Sequence, residues 1–210
     1  MPTPTEQAYT ELQHAYDAFN TRLFAGQLPP CLITMQRKNR TYGYFSGERW
    51  NSLLGMRADE IALNPAHFAT RSTEEVLATL AHEMVHLWQH HFGTPSHSAY
   101  HNREWAAKMD AIGLCPSDTG QPGGKRTGQH MRHYSVGDGP FAQACAALLT
   151  EGFVISWRDR AREDTSGKPP GKAGVRTKYT CPYCGLNAWA KPDVVLLCGM
   201  CEVALEPDEA

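Results

Sequence analysis

The chain has 210 residues, a formal net charge of −2, and a composition that is 41% hydrophobic and 20% charged. This length is enough for one globular domain with a small additional module, and the composition is typical of a folded chain. The near-neutral charge excludes binding to nucleic acid or anionic membranes through overall charge, so any such contact requires a local patch.

The start of the chain, residues 1–7, is polar and lacks the charged-then-apolar layout of a signal peptide. The longest apolar runs, such as residues 194–198, are too short to span a bilayer. We therefore expect a cytoplasmic protein with no membrane partner, and we leave association with the nucleoid open. In the cytoplasm the seven cysteines are reduced, so paired Cys-x-x-Cys spacings indicate metal sites before disulfides.

The first third of the chain predicts a helix followed by a small sheet. Thr3 and Glu6 have the spacing of a capping box, and apolar residues recur at helical spacing as far as Leu23, before Gly26 ends the run. Strand character then appears in the segments 31–35, 41–45 and 60–63.

A second helix is marked by Ser72 as its N-cap and Glu75 as the capping-box partner, and its apolar stripe extends to Trp88. Four further segments follow: a helix at 101–112, a loop or insertion rich in Gly and Pro at 115–139, a helix at 141–149 and a strand at 153–157.

The second predicted helix carries the motif His82-Glu83-Met84-Val85-His86. Residues four apart on a helix lie on one face, about 6 Å apart along the axis, so both imidazoles can reach one Zn²⁺. Glu83 lies beside them and is close enough to take a proton from a water that zinc activates. The alternative is that the three polar residues lie on the solvent-exposed face of an amphipathic helix, but the apolar stripe places the motif next to the core.

A catalytic zinc needs a third protein ligand and an open fourth position. His90 continues the i, i+4 series but lies about 12 Å along the helix axis from His82, so it cannot share the ion. The remaining candidates are His91, His97, His101 and Glu104. His101 is favoured because it opens a helix that can fold back over the motif helix. Glu104 is the runner-up because glutamate serves as a ligand in other zincins.

Several groups of residues occur together in a known pattern. They are Phe19-Asn20, Leu23-Phe24 and Leu28-Pro29 near the start, then His82, Glu83 and His86, and then His101 before Trp105, Met109, Ile112 and Gly113. Together they resemble the SprT-like (Spartan-type) metallopeptidases over roughly residues 8–157. The resemblance implies His101 as the third zinc ligand and an α+β, zincin-like fold with the motif helix on a small sheet. It also implies proteolysis, with DNA-bound or DNA-crosslinked proteins among the substrates.

One segment, residues 128–141, is not part of that pattern, and we expect an insertion that shapes the substrate cleft. Its histidines, His130 and His133, lie three apart in a Gly-rich loop, which predicts surface residues rather than metal ligands. Hydrolysis also needs an oxyanion donor. Candidates for that role are Tyr100, Arg103 and Tyr134.

The C-terminal part contains Cys181-Pro-Tyr-Cys184, thirteen further residues, and then Cys198-Gly-Met-Cys201. Paired knuckles at this separation hold four thiolates around one Zn²⁺. A segment this short cannot build a sufficient core, so metal binding would supply its folding free energy. The alternative, two disulfides or a redox pair, is disfavoured in a reducing compartment. We predict a zinc ribbon with a structural ion.

The segment before these cysteines, residues 158–178, has seven basic and three acidic residues and no apolar face, which predicts a linker. With Tyr179, Tyr183 and Trp189 it predicts contact with DNA phosphates and stacking on bases. The alternative is a solvated linker followed by aromatic residues in the ribbon core.

We therefore predict three regions: a metallopeptidase domain at 1–157, a basic linker at 158–178 and a zinc ribbon at 179–210. The predicted function is a zinc-dependent endopeptidase with one catalytic and one structural Zn²⁺, protein substrates and DNA as a partner. Two alternatives stay open. One is a non-enzymatic nucleic-acid-binding protein whose metals are both structural, and the other is hydrolysis of something other than a peptide.

Overall fold

The structure, a computed structural model, describes residues 1–97, 100–159 and 176–208. These residues form a mixed α+β protein that contains four α-helices and several short strands. The chain divides into two compact units, Met1–Ala161 and Arg162–Ala210, and each is treated by itself below. Most of the predicted linker lies outside the described residues. Within the described ranges, no helix combines the length and apolarity that crossing a bilayer requires.

Helix α1 (Pro4–Phe24) begins with the predicted capping box. The Thr3 hydroxyl accepts from the backbone N–H of Glu6, and the Glu6 carboxylate accepts from the backbone N–H of Thr3 at 2.8 Å. Gly26, with a φ of +69°, lies in the turn that ends the helix. The inner face of α1, with Phe19 fully buried, packs into the main core of this unit.

The main sheet has three strands, β1 (Leu32–Met35), β2 (Gly43–Asn51) and β3 (Arg57–Leu63). Their order is β1-β3-β2, with β1 parallel and β2 antiparallel to β3. All three strands were predicted, but β2 and β3 are longer than the segments 41–45 and 60–63. They continue as a hairpin whose outer half is solvent-exposed, so that half lacks the apolar alternation that marks a strand in sequence.

Helix α2 (Thr73–Phe92) packs its buried stripe onto this sheet and onto α1. Its predicted capping box is confirmed, because Ser72 and Glu75 exchange both side chain–backbone hydrogen bonds. The buried positions Leu80, Met84 and Leu87 have no exposed surface. This packing fixes the rotation of α2, and therefore the direction of its polar face.

The chain then forms α3 (Arg103–Ala111), β4 (Leu114–Ser117), β5 (Arg132–Ser135) and α4 (Pro140–Thr150). The last helix agrees with the prediction. The segment 115–139 is more ordered than predicted, because β4 and β5 pair antiparallel, from Leu114 with Ser135 to Ser117 with Arg132. Two four-residue strands in polar sequence have too little periodicity to be recognised from the sequence alone.

The strand predicted at 153–157 is wrong. Phe153 and Ile155 alternate into the core as in a strand, each with 7% exposure. The backbone of this segment does not form the hydrogen bonds of a strand pair. Instead, the N–H of Ser156 donates to the carboxylate of Glu11, in α1, at 2.9 Å. This segment is therefore an extended chain held by side chains of α1 rather than by a neighbouring strand.

The second unit is built from short antiparallel pairs. Its strands are β6 (Thr177–Thr180), β7 (Asn187–Ala190), β8 (Leu197–Cys198), β9 (Val203–Ala204) and β10 (Glu206–Pro207). They form a sheet of order β10-β6-β7 and a separate β8-β9 pair. The buried core consists of Tyr179, Cys181, Cys198 and Leu205. So small a core does not stabilise a fold without a metal ion or cross-links.

Candidate metal centres

Three imidazoles converge where α2 meets the residues before α3. The Nε2 atom of His101 lies 3.1 Å from Nε2 of His86 and 3.3 Å from Nε2 of His82. A tetrahedral ion with bonds of about 2.1 Å holds its ligand nitrogens about 3.4 Å apart. A neutral imidazole has a single N–H, so three nitrogens that face one another cannot all be satisfied by mutual hydrogen bonds. Their geometry and chemistry fit Zn²⁺.

Burial keeps these histidines in the form that binds metals. It lowers the pKa of His86 to about 3, with the charge of His101 acting in the same direction, and it also lowers the pKa of His82 and His101. Trp105, which is fully buried, lies against all three rings, with ring centroids 4.3 to 5.5 Å away. The three imidazoles are therefore neutral and pack against the buried ring of Trp105.

The orientation of His101 is set by a backbone carbonyl. Nδ1 of His101 lies 3.0 Å from the carbonyl oxygen of Gly128, and because a carbonyl only accepts, Nδ1 carries the proton. The two residues also exchange both backbone hydrogen bonds. Nε2 therefore presents its lone pair to His82 and His86, which is the tautomer that a metal ligand needs. His101 lies just before α3 rather than opening it, since Asn102 is the N-cap.

A buried amide holds the approach to α3 in place. The Gln89 side chain, 2% exposed, donates to Oδ1 of Asn102 at 2.8 Å and to the carboxylate of Glu104 at 2.7 Å. That carboxylate also accepts from the N–H of Thr94 at 2.7 Å, and Asn102 caps α3 through the N–H of Trp105. Glu104, the alternative third ligand, is therefore engaged in this network, and the structure places His101 beside the motif histidines instead.

Glu83 lies on the same helix and is 5% exposed. Burial raises the pKa of its carboxyl to about 8, and a hydrogen bond from the backbone N–H of Phe45, in β2, acts in the opposite direction. Strand β2 approaches closely here, because a Cβ at Gly43 would lie 3.3 Å from Cγ of Glu83 and 2.9 Å from the carbonyl oxygen of Ala62. The only titratable acid of the motif is thus held between α2 and β2, shielded from bulk water.

The prediction that His133 is a surface loop residue is wrong. Strand β5 places its Nδ1 atom 3.2 Å from Nδ1 of His82, with ring centroids 5.3 Å apart. Burial lowers the pKa of His133 to about 4, with the charge of Arg71 acting in the same direction, so this imidazole is neutral. When Nε2 of His82 faces the ion, its Nδ1 carries the proton and donates to His133. His130, by contrast, is exposed as predicted.

The other residues considered for this centre lie elsewhere. His90 and His91 lie in the last turn of α2 beside Asp59, and His97 is exposed in the following loop. Among the candidate oxyanion donors, Tyr134 forms a hydrogen bond with the thiol of Cys115, and this bond is the main reason that the Tyr134 pKa is raised. The identity of the oxyanion donor stays a prediction.

The four cysteines of the second unit also converge. Their Sγ atoms lie within 4.8 Å of one another, and those of Cys184 and Cys198 are 3.7 Å apart. A tetrahedral ion with Zn–S bonds of about 2.3 Å would hold its sulfurs about 3.8 Å apart. All seven cysteines of the chain are free thiols. The pKa of Cys181 is lowered to about 7, mainly because its sulfur accepts a hydrogen bond from the backbone N–H of Cys184. This shift favours the thiolate.

The aromatic residues near these cysteines divide into two groups. Tyr179 was predicted to stack on bases, but it is 3% exposed and its hydroxyl donates to the carbonyl of Lys191 at 3.0 Å. It is therefore a core residue. Tyr183 and Trp189 are 79% and 59% exposed and are free to contact a partner.

Comparison with known proteins agrees with this geometry. A model of the SprT-like family matches residues 12–126, a range that includes α1 from Leu12 onward, the main sheet, α2, α3 and the three converging histidines. A curated relative, described as an uncharacterized protein in the mucB 3'region of Salmonella typhimurium, is 56% identical over 59 residues. The matched segment is 28% of this chain and 80% of that relative. No solved structure gives a significant match.

Proposed function

Because this chain belongs to the SprT-like family, we propose that it is a zinc-dependent endopeptidase that hydrolyses protein substrates. One observation carries the proposal. The Nε2 atom of His101 lies 3.1 Å from that of His86 and 3.3 Å from that of His82, and the buried Glu83 lies on α2 between these two residues. The packing of α2 on the sheet β1-β3-β2 supports a zincin-like arrangement around that centre.

The residues divide the chemistry between them. The three histidines would hold a divalent ion, which would supply Lewis acidity and lower the pKa of water. The positive charge of such an ion would also favour the ionised form of the buried Glu83 carboxyl. Glu83 would then accept a proton from the attacking water as the oxygen bonds to the scissile carbonyl carbon, and would deliver that proton to the amine nitrogen as the C–N bond breaks. The N–H of Phe45 and the surrounding core hold the carboxylate in one orientation. The carboxylate thus does not need to reorganise during the reaction.

Strand β2 supports a peptide as the substrate. Within the described part of the chain, β2 pairs with β3 on one side only, so no strand covers its other edge. Two backbone groups there already have partners, since the N–H of Phe45 donates to Glu83 and the carbonyl of Gly43 accepts from the hydroxyl of Thr41. This edge includes Gly43 and Phe45, the residues that approach Glu83. An extended peptide can pair with such an edge through main-chain hydrogen bonds, and this pairing would place a peptide bond near the metal centre.

Two further features support DNA-bound or DNA-crosslinked proteins as the substrate class. The exposed rings of Tyr183 and Trp189 suit stacking on unpaired bases. The segment 158–178 has seven basic residues against three acidic ones, which suits phosphate contacts. Together these features would bring the catalytic unit to proteins that are held on DNA.

The test compares the full-length protein with its Glu83→Gln variant, each loaded with zinc and incubated with a DNA-binding protein with and without single- or double-stranded DNA. We expect chelator-sensitive cleavage by the parent protein, and a kcat in the variant that is about 10² to 10⁴-fold lower, because the general base is lost. Zinc content, measured by elemental mass spectrometry, should be equal in both. Zinc retained without cleavage in any condition would instead favour a non-enzymatic nucleic-acid-binding protein.

A further inference from the structure

A third group of side chains that can bind a metal ion lies one helical turn beyond His86, the last residue of the motif. It combines His90 and His91, from the last turn of α2, with Asp59 from β3, and one ligand atom from each lies within 4.8 Å of the others. The Nε2 atom of His91 is 2.7 Å from Oδ2 of Asp59, and Nε2 of His90 is 3.9 Å from Oδ1. We propose that these three residues form an additional binding site for a divalent transition-metal cation such as Zn²⁺.

The carboxylate of Asp59 is fixed and nearly buried, with 7% of its side chain exposed. Its Oδ1 atom accepts the backbone N–H of Glu48 at 2.7 Å. Glu48 has a φ of +48° and lies in the β-bulge between Ser46 and Trp50, where the β2–β3 ladder is interrupted. A carboxylate taken out of water needs positive charge nearby, and the described residues within ion-pair distance of Asp59 are His90 and His91.

The imidazole of His90 is also held in position. A Cβ at Gly47, in the same bulge, would lie 2.7 Å from Cε1 and 3.0 Å from Nε2 of His90, so a residue larger than glycine would displace the ring from this position. The Phe45 ring packs against it, with centroids 5.5 Å apart. The His91 ring stands perpendicular to it, with centroids 5.0 Å apart. The bulge of β2 is therefore shaped around His90, which distinguishes this group from loose surface histidines.

The donor set indicates the class of ion. Two imidazoles and one carboxylate suit Zn²⁺ and similar transition metals, whereas Mg²⁺ and Ca²⁺ prefer oxygen ligands. Tetrahedral coordination at about 2.1 Å places ligand atoms about 3.4 Å apart, and the two N···O separations of 2.7 and 3.9 Å lie on either side of that value. The side chains of His90 and His91 are each 35% exposed, so an ion can enter from solvent and water can complete its coordination.

A metal ion at this site would affect how two parts of the fold are held together. It joins the end of α2 to the β2–β3 hairpin, and these are the elements that meet at Glu83. An ion bound here would hold them together and would stabilise the folded unit by mass action.

The test titrates the full-length protein, with its histidine and cysteine sites already filled, with further Zn²⁺ in a calorimeter. We expect one additional equivalent in the parent protein, and an affinity more than about tenfold weaker in Asp59→Asn and in His90→Gln. Asp59→Asn retains an oxygen that can accept from Glu48, and His90 is partly exposed, so His90→Gln folds even if the first variant does not. The control is His97→Gln, which removes an exposed loop histidine and should leave the additional equivalent unchanged.

Two results would overturn the inference. One is a parent protein that takes up no zinc beyond the two filled sites, and the other is His90→Gln binding the additional equivalent as tightly as the parent. Neither result depends on whether the protein cleaves peptides, because the titration measures metal binding alone.

Discussion

The candidate catalytic centre depends on residues that lie around the three converging histidines. The carbonyl of Gly128 selects the tautomer of His101, Trp105 supports all three imidazole rings, and His133 contacts the far nitrogen of His82. Such outer contacts orient the ligands and restrict them to one geometry. Two predictions at the scale of single residues follow from this support.

Replacing His133 with Phe should weaken zinc binding at the histidine site about 10 to 100-fold, because an aromatic ring of similar size cannot accept the proton of His82 Nδ1. Competition with a chromophoric chelator measures the change. His97→Phe is the control, since it makes the same substitution at an exposed loop histidine. Equal zinc affinity in the two variants would contradict a supporting role for His133.

Replacing Trp105 with Ala should lower the free energy of unfolding by about 3 to 5 kcal/mol, because it leaves a cavity beneath three histidines. The Nε1 atom of Trp105 is buried without a hydrogen-bond partner among the described residues, so Trp105→Phe loses volume but no hydrogen bond. The Phe variant should therefore be the more stable of the two. Urea unfolding monitored by circular dichroism compares them, and an equal loss in both would show that cavity formation is not the cause.

At the scale of elements, the two units differ in how they are stabilised. The first packs four helices and a sheet around a large apolar core, while the strands of the second surround a core in which two of four buried residues are cysteines. A chelator should therefore unfold the strands of the second unit and leave α1, α2 and the main sheet in place. The cysteines of the two units report on this difference.

Removing zinc from the full-length protein should expose Cys181, Cys184, Cys198 and Cys201 to alkylation. Cys31 and Cys145 should stay unreactive near neutral pH, because burial raises the pKa of their thiols to about 12 and about 11 and leaves almost no thiolate. Mass spectrometry after a short iodoacetamide pulse, with and without chelator, locates the modified residues. Modification of Cys31 at the rate of Cys184 in the absence of denaturant would show that the first unit has also opened.

At the scale of the whole molecule, the proposal assigns catalysis to one unit and DNA contact to the other. Substituting the exposed rings of the second unit is the most direct test of that division. Trp189→Ala should weaken binding to a single-stranded oligonucleotide by about 1 to 3 kcal/mol, the contribution of one stacked base. Fluorescence anisotropy at fixed salt measures it, and Val195→Ala, which truncates an aliphatic side chain that is even more exposed than Trp189, is the control. Unchanged binding in Trp189→Ala would argue against stacking at this position.

The sequence by itself determined the features that are local along the chain. Both capping boxes, the spacing of His82, Glu83 and His86 on one helix, and the paired cysteine knuckles follow from fixed short separations, because helix geometry and turn geometry repeat over a few residues. The resemblance to a known family also rests on such motifs. Apolar periodicity and turn residues, which are also local, predicted the four helices and the three strands of the main sheet, with β2 and β3 shorter than observed.

Only the tertiary structure decided which distant residues join the motif. It places His101 beside the motif histidines while Glu104 is engaged with Gln89, and it places His133 against His82 through a strand pair that the sequence does not reveal. It also brings Asp59 to His90 and His91 at a bulge. Such contacts depend on the path of the chain between residues far apart in sequence, and no local period encodes that path.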